Sequence, residues 1–249
     1  MGDSTGPLLR VDDVSFGYDR QVVLDRVSLV VEPGDYLAII GPNGGGKTTL
    51  LKVILGLLKP WSGRVELAIS APHRAGYVPQ YANFDKNFPL TVAEVVGMGR
   101  LGLSGIGRSY SAEDATAVDA ALDRFGLRKL ASTCVAELSG GQLQRTLIAR
   151  ALAGEPEILF LDEPLASIDS ESRNVVLSTL EELNHRMPVV VVSHDVTIFS
   201  GAVRQIACVN RDLHYHATGE VTGEMLEEVY GCPVELVAHG VPHRVIKEH

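Results

Sequence analysis

Short runs that mix apolar and polar positions open the chain: Leu8 to Val11, Gln21 to Leu24 and Val27 to Val31 each read as a β-strand bounded by polar turns. Glu32-Pro33-Gly34-Asp35 breaks the pattern, and Tyr36-Leu37-Ala38-Ile39-Ile40 follows as the unbroken apolar run of a strand buried on both faces. A small antiparallel sheet feeding a core strand is the expectation. From Thr48 to Leu58 nearly every side of the chain is apolar, which predicts a helix enclosed by protein.

The pattern changes over residues 84–136. A helix-like Thr91 to Met98 leads to a flexible run, Gly102-Leu103-Ser104-Gly105-Ile106-Gly107, and then to an amphipathic Ala112 to Phe125 with Ser111 as its cap. This stretch is expected to be an inserted, mostly helical subdomain. Alternation then resumes. Gln142 to Ala153 keeps Leu143, Leu147, Ile148, Ala151 and Leu152 at helical spacing and is closed by Gly154 and Pro156. Strand Ile158 to Leu161, helix Arg173 to Asn184 and strand Val189 to Val192 follow. Repeated strand and helix units imply a parallel sheet covered on both faces. The expected division is therefore a core with its β subdomain over residues 7–83 and 137–215, the helical insertion at 84–136, and a C-terminal tail at 216–249.

Composition narrows the class. With 249 residues, 45% hydrophobic and 21% charged, the chain can bury one substantial core. Its longest apolar stretches, Leu50 to Leu58 and Val189 to Val192, fall short of the roughly 20 residues that cross a bilayer, so membrane contact is expected through a partner. The start, Met1-Gly2-Asp3-Ser4-Thr5-Gly6, has neither an export signal's pattern nor the hydroxyl residue of an acylation site. A net charge of −9 opposes binding to nucleic acid, which relies on Lys and Arg contacts to phosphate. Cys134, Cys208 and Cys232 show no close metal-ligand or redox spacing and are expected to be reduced.

Gly41-Pro42-Asn43-Gly44-Gly45-Gly46-Lys47-Thr48, with Thr49 next, matches the phosphate-binding loop and sits after a buried strand and before a helix, as that loop requires. Its glycines let backbone N–H groups turn towards a β-phosphate, and the helix N-terminus adds partial positive charge. Lys47 would neutralise the β- and γ-phosphates and Thr48 would ligate Mg²⁺. Downstream, Ile158-Leu159-Phe160-Leu161-Asp162-Glu163-Pro164 presents two carboxylates where a core strand ends. Asp162 is placed to hold the Mg²⁺ shell and Glu163 to polarise an attacking water. Leu138-Ser139-Gly140-Gly141-Gln142 puts a hydroxyl and two glycines ahead of a helix, and taken alone Ser139 reads as a helix cap. Gly97-Met98-Gly99-Arg100-Leu101-Gly102 fits the dinucleotide fingerprint in letters only, because a helix-like run precedes it and a loop follows.

Leu138-Ser139-Gly140-Gly141-Gln142-Leu143-Gln144-Arg145 resembles the signature motif of the ABC ATPases, and the order of the surrounding motifs agrees over nearly the entire chain. By that resemblance Tyr18 is similar to the family's adenine-stacking aromatic, Gln80 to its Mg²⁺- and water-sensing glutamine, Asp169 to the loop crossing the dimer interface, and His194 to the γ-phosphate switch histidine. Gly45 and Thr48 in the loop, and Ile168 where leucine is common, depart mildly from the pattern. The fold implied is α/β: a P-loop NTPase (RecA-like) core with a mostly parallel sheet, an N-terminal antiparallel β subdomain and an inserted α-helical subdomain.

The resemblance also implies ATP with Mg²⁺, sandwiched between the P-loop of one subunit and Ser139, Gly140, Gly141 and Gln142 of another. The implied partners are a second ATP-binding subunit, most simply a second copy, integral membrane permease subunits, and indirectly a solute-binding protein. The implied location is the cytoplasmic face of the membrane. Residues 85–100 and the ending around His239 and His243 look like zinc, manganese or iron uptake ATPases. His214, His216, His239, His243 and His249 lie late in the chain, and a metal-sensing role and a solvated tail both remain open for them. A metal chelate or siderophore is the alternative cargo. The rival classes are a soluble ABC ATPase acting on DNA or ribosomes, which usually carries coiled coils or tandem cores, and a P-loop kinase of small metabolites, which leaves the signature unexplained.

Overall fold

The computed structural model describes residues 6–80, 89–104, 109–166, 168–194, 203–216, 235–239 and 241–245. Gly105 to Gly107, Ser167, Asp195, Cys232 and His249 lie outside the described residues. The elements run as β1 (Leu9–Tyr18), β2 (Gln21–Val31), β3 (Tyr36–Ile40), α1 (Lys47–Ile54), β4 (Ser62–Leu67), β5 (Ala75–Val78), α2 (Val92–Gly97), α3 (Leu101–Ser104), α4 (Ala112–Arg124) and α5 (Gly140–Ala153). Beyond them come β6 (Ile158–Asp162), α6 (Ser170–Asn184), β7 (Val189–Ser193), β8 (Gln205–Asn210), β9 (Asp212–His216), β10 (Glu235–His239) and β11 (Val241–Val245). Among the described residues no helix is long and apolar enough to cross a membrane. The chain divides into two compact units, Met1–Ala68 with Val190–His249, and Ile69–Val189.

In the first unit β1 pairs antiparallel with β2 and β4 in the order β2-β1-β4. Alternation sets the faces: Leu9, Val11, Val14 and Phe16 of β1 and Leu24, Val27, Leu29 and Val31 of β2 are buried. The two runs expected at 21–24 and 27–31 form one strand. Between the pairs Val14↔Val27 and Phe16↔Leu24, β2 carries an extra residue, and Arg26 absorbs it at φ 48 while its N–H donates to Ser15 Oγ. A bulge keeps the strand going where the polarity of Asp25-Arg26 suggests a turn.

A second layer in this unit has the order β7-β3-β8-β9, all but the first residue of β7 lying within it. β3 and β8 are parallel and β9 returns antiparallel. Every residue of β3 and β7 is buried, as the unbroken apolar runs require. The α1 helix ends at Ile54 rather than Leu58. Gly56 takes φ 71, its N–H donates to the Val53 carbonyl, and the Leu57 N–H reaches back to the Lys52 carbonyl at 2.8 Å. That is a Schellman stop, which leaves Leu57 64% exposed and which apolar spacing alone does not reveal. His214 and His216 both lie in β9. β10 and β11 pair as a hairpin.

In the second unit β5 and β6 are parallel, with register from Ala75↔Ile158 to Val78↔Leu161. The α5 helix packs against α2, α4 and β5, burying Leu143, Leu147, Ile148 and Ala149, and each fully buried aliphatic contributes about 1.5–3 kcal/mol. Capping explains where the helices begin. Thr91 with Glu94 and Ser111 with Asp114 form capping boxes at α2 and α4, and Asp169 caps α6, which begins at Ser170, three residues before the expected Arg173. Arg100 ties the unit together from inside: its guanidinium donates to Asp114 Oδ1 at 2.8 Å, the Ala153 carbonyl at 3.0 Å and Glu155 Oε1 at 2.6 Å, with its side chain only 5% exposed. Removing one partner from such a buried pair costs about 3–5 kcal/mol. Residue 100 lies inside the G-x-G-x-x-G letters, which here run from α2 through a 3-10 turn into α3, with no strand before them.

Candidate functional site

The phosphate-loop residues belong to the first unit. After Ile40 the chain turns at Gly41, where a Cβ would stand 2.0 Å from the Val209 carbonyl oxygen. A Cβ on Gly45 would stand 2.9 Å from the same oxygen and 3.1 Å from the Pro42 carbonyl oxygen. The loop thus folds over the end of β8 so closely that side chains are excluded, which accounts for Gly45 where the family pattern varies. Asn43 and Gly44 are exposed at its crest. Gly46, at φ 101, occupies the N-cap of α1, and no side chain caps that helix. Lys47 is buried, and its ammonium donates to the Gly41 and Pro42 carbonyls, both at 2.9 Å. Thr48 and Thr49 follow in the first turn of α1. An uncapped helix N-terminus and a buried ammonium in one tight loop make a receptor for an anion. Tyr18 ends β1, and His194 follows β7, the strand beside β3; both side chains are exposed.

Asp162, Glu163 and Gln80 belong to the second unit. Because Val78 pairs with Leu161 in parallel register, Pro79-Gln80 and Asp162-Glu163 leave β5 and β6 at the same end, the edge where open α/β sheets bind ligands. Asp162 is 1% exposed. Burial first, and then the Asp162 charge, push the Tyr77 phenol up to about 12. Glu163 is 7% exposed and sits at φ 50, a left-handed conformation that costs a residue with a Cβ roughly 1–3 kcal/mol.

The signature residues also lie in the second unit. Ser139 caps α5: Ser139 Oγ accepts from the Gln142 N–H at 3.3 Å and Gln142 Oε1 accepts from the Ser139 N–H at 2.9 Å. The helix accordingly begins at Gly140, two residues before the expected start. Gly141 lies against the start of α6, where a Cβ would stand 2.1 Å from Ser172 Oγ. Ser172 in turn donates its N–H and hydroxyl to the two Asp169 carboxylate oxygens at 2.9 and 2.8 Å, and the backbone hydrogen bond leads in holding that carboxyl below its ordinary value. Ser172 belongs to no motif in the sequence, although Asp169 ahead of an apolar run is itself an N-cap signal. Among the described residues no group of three or more His, Cys, Asp or Glu could hold a metal ion.

Both the strand-loop-helix turn around Lys47 and the carboxylates at the end of β6 are features of P-loop ATPases, and the residue run Leu138-Ser139-Gly140-Gly141-Gln142 at the capped turn resembles the signature of ATP-binding cassettes. The chain belongs to the ABC transporter family, which it matches over residues 24–166. It is the ATP-binding, ATP-hydrolysing subunit of such a transporter. A Chlamydia trachomatis protein named a probable metal transport system ATP-binding protein is 42% identical over 209 residues, covering 82% of this chain and 88% of that protein. The zinc import ATP-binding protein ZnuC of Pseudomonas fluorescens is 37% identical over 246 residues, covering 97% and 87%. Among solved structures, a chain described as a metal-chelate type ABC transporter in an inward-facing conformation superposes with a TM-score of 0.86 at 30% identity, covering 96% of this chain and 97% of that one.

Proposed function

We propose that this ATPase powers the import of a transition-metal cation, of the zinc, manganese or iron class, from the cytoplasmic face of a membrane. The observation that carries this reading is the 97% of the chain matched by a zinc import subunit, a match that reaches past the ATPase motifs into the tail. Two copies of the chain act together, each contributing a P-loop to one nucleotide and its Ser139 turn to the other, and permease subunits connect the pair to the membrane and to a solute-binding protein. The helical stretch within residues 84–136 passes motion to the permease.

In this mechanism the loop from Gly41 to Thr49, through backbone N–H groups at the start of α1, and the Lys47 ammonium bind the triphosphate, and the exposed ring of Tyr18 stacks on the base. The Thr48 hydroxyl, the buried Asp162 carboxylate and the Gln80 amide oxygen are hard oxygen donors suited to Mg²⁺. When bound, Mg²⁺ neutralises charge on the β- and γ-phosphate oxygens. Glu163 takes the proton of the attacking water, His194 and Gln80 orient that water and the γ-phosphate, and Ser139 with the Gly140 and Gly141 amides of the partner copy stabilises the charge that develops. Asp169 steadies the interface between the copies.

A metal chelate is the second reading, favoured by the 0.86 TM-score to a chain described as of metal-chelate type. The deciding measurement is ATP hydrolysis by the complex reconstituted with its permease and binding protein. Free Zn²⁺ or Mn²⁺ delivered by the binding protein is expected to stimulate turnover. Stimulation by a siderophore or chelate alone would overturn the cation reading.

A further inference from the structure

Trp61 is the chain's single tryptophan, and its side chain stands 53% exposed. Local contacts fix it all the same. Its backbone N–H donates to the Ser15 carbonyl at 2.8 Å, and its indole lies across Gly17, where a Cβ would stand 2.5 Å from the ring and 2.0 Å from the Gln21 carbonyl oxygen. Only a glycine at residue 17 lets the ring settle there. The buried Phe16 ring meets Trp61 at a centroid distance of 6.1 Å and 37°, and meets Tyr18 edge-on at 5.1 Å and 89°. Three aromatic rings therefore run in series from the start of β4 to the tip of the β1–β2 hairpin, and the last of them, Tyr18, is 47% exposed.

The tip itself is poorly suited to hold a ring by backbone geometry alone. Tyr18 pairs with Gln21 across a two-residue turn in which Asp19 and Arg20 take φ 46 and φ 77. A turn with both central residues left-handed favours asparagine and glycine, and this one has neither. An exposed tyrosine on such a tip keeps its rotamer freedom unless a neighbour removes it, and whatever freedom remains is lost when a base stacks on it.

We propose that Trp61 is a positioning residue for nucleotide binding: through Phe16 it holds the Tyr18 ring ready to receive the base of ATP. The proposal rests on the reading of Tyr18 as the base-stacking residue. Its specific consequence is that Trp61 matters only to ligands that carry a base.

The test is equilibrium titration of the full chain with Mg-ATP and, separately, with magnesium and inorganic tripolyphosphate, for the parent, Trp61→Ala, Trp61→Phe, Tyr18→Ala and the double alanine variant. Trp61→Ala should weaken ATP binding about three- to tenfold, the range one aromatic pair supplies, and leave tripolyphosphate within about twofold of the parent. Trp61→Phe should restore most of the loss. In the Tyr18→Ala background, Trp61→Ala should add nothing, because the ring it positions is gone. ATP affinity unchanged in Trp61→Ala but reduced in Tyr18→Ala overturns the positioning role and leaves the stacking role standing. Tyr18→Ala with an unchanged ratio of ATP to tripolyphosphate affinity removes the stacking reading itself. Equal weakening of both ligands by Trp61→Ala would mean a damaged hairpin, and that too overturns the proposal.

Discussion

The turn from Gly41 into α1 and the turn from Leu138 into α5 share glycines, a hydroxyl residue and a helix N-terminus, yet they dispose of the helix's unpaired donors differently. At α5 the chain answers its own N–H groups, Ser139 accepting from Gln142 and Gln142 from Ser139. At α1 the N-cap is Gly46 and no side chain caps the helix, while the nearby Lys47 ammonium is held on the loop's own carbonyls. The first arrangement stabilises a helix in its own right; the second stabilises a helix end whose dipole remains directed at a ligand. Similar sequence texture therefore does not mean similar chemistry, and what separates the two turns is whether a side chain stands at the N-cap.

The largest expected effect falls on the ligand-directed turn. Lys47→Ala removes the buried ammonium, and turnover should be lost together with most of the affinity for ATP in an equilibrium titration. Unchanged ATP affinity in that variant would erase the distinction between the turns.

Next comes Glu163→Gln, which separates binding from chemistry. Glutamine keeps the shape but cannot accept the water's proton, so single-turnover hydrolysis should slow by about 10²-fold or more while ATP still binds. Light scattering with Mg-ATP should then show a dimer, and adding Ser139→Arg should abolish that dimer without blocking the P-loop. Hydrolysis at the parent rate would refute the role of Glu163, and a dimer indifferent to Ser139→Arg would refute the contribution of the signature turn in trans.

The smallest effect sharpens the comparison from the capped side. Ser139→Ala deletes an N-cap and should destabilise the chain by about 1 kcal/mol in denaturant unfolding, with ATP affinity of the isolated chain preserved. A stability loss within error would show that the capping box is incidental to α5.

Local chemistry in this chain was legible wherever a single short segment decides it. The strand Tyr36–Ile40, the cap at Ser111, the cap at Ser139 and the glycine stop at Gly154 all follow from neighbouring residues. What escaped depends on partners distant in sequence or on backbone sign. The bulge at Arg26 requires knowing that β1 lies opposite, and Gly56 required reading a glycine as a left-handed cap inside an apolar run. Among the site residues, the strained φ of Glu163 and the approach of Val209 to Gly41 and Gly45 have no signature in one sequence. The dinucleotide letters around Arg100 are set aside by their context in the sequence, but the commitment of its guanidinium to Asp114 and Glu155 has no local signature.

Gly141 and Ser172 touch at the one place where two functional turns of the second unit could have been separate, and Ser172 is in turn bonded to Asp169. With no room for even a methyl group between them, the Ser139 turn and the Asp169 turn are packed as a single jaw rather than two fingers. A displacement of the Ser139 turn is therefore expected to carry Asp169 with it.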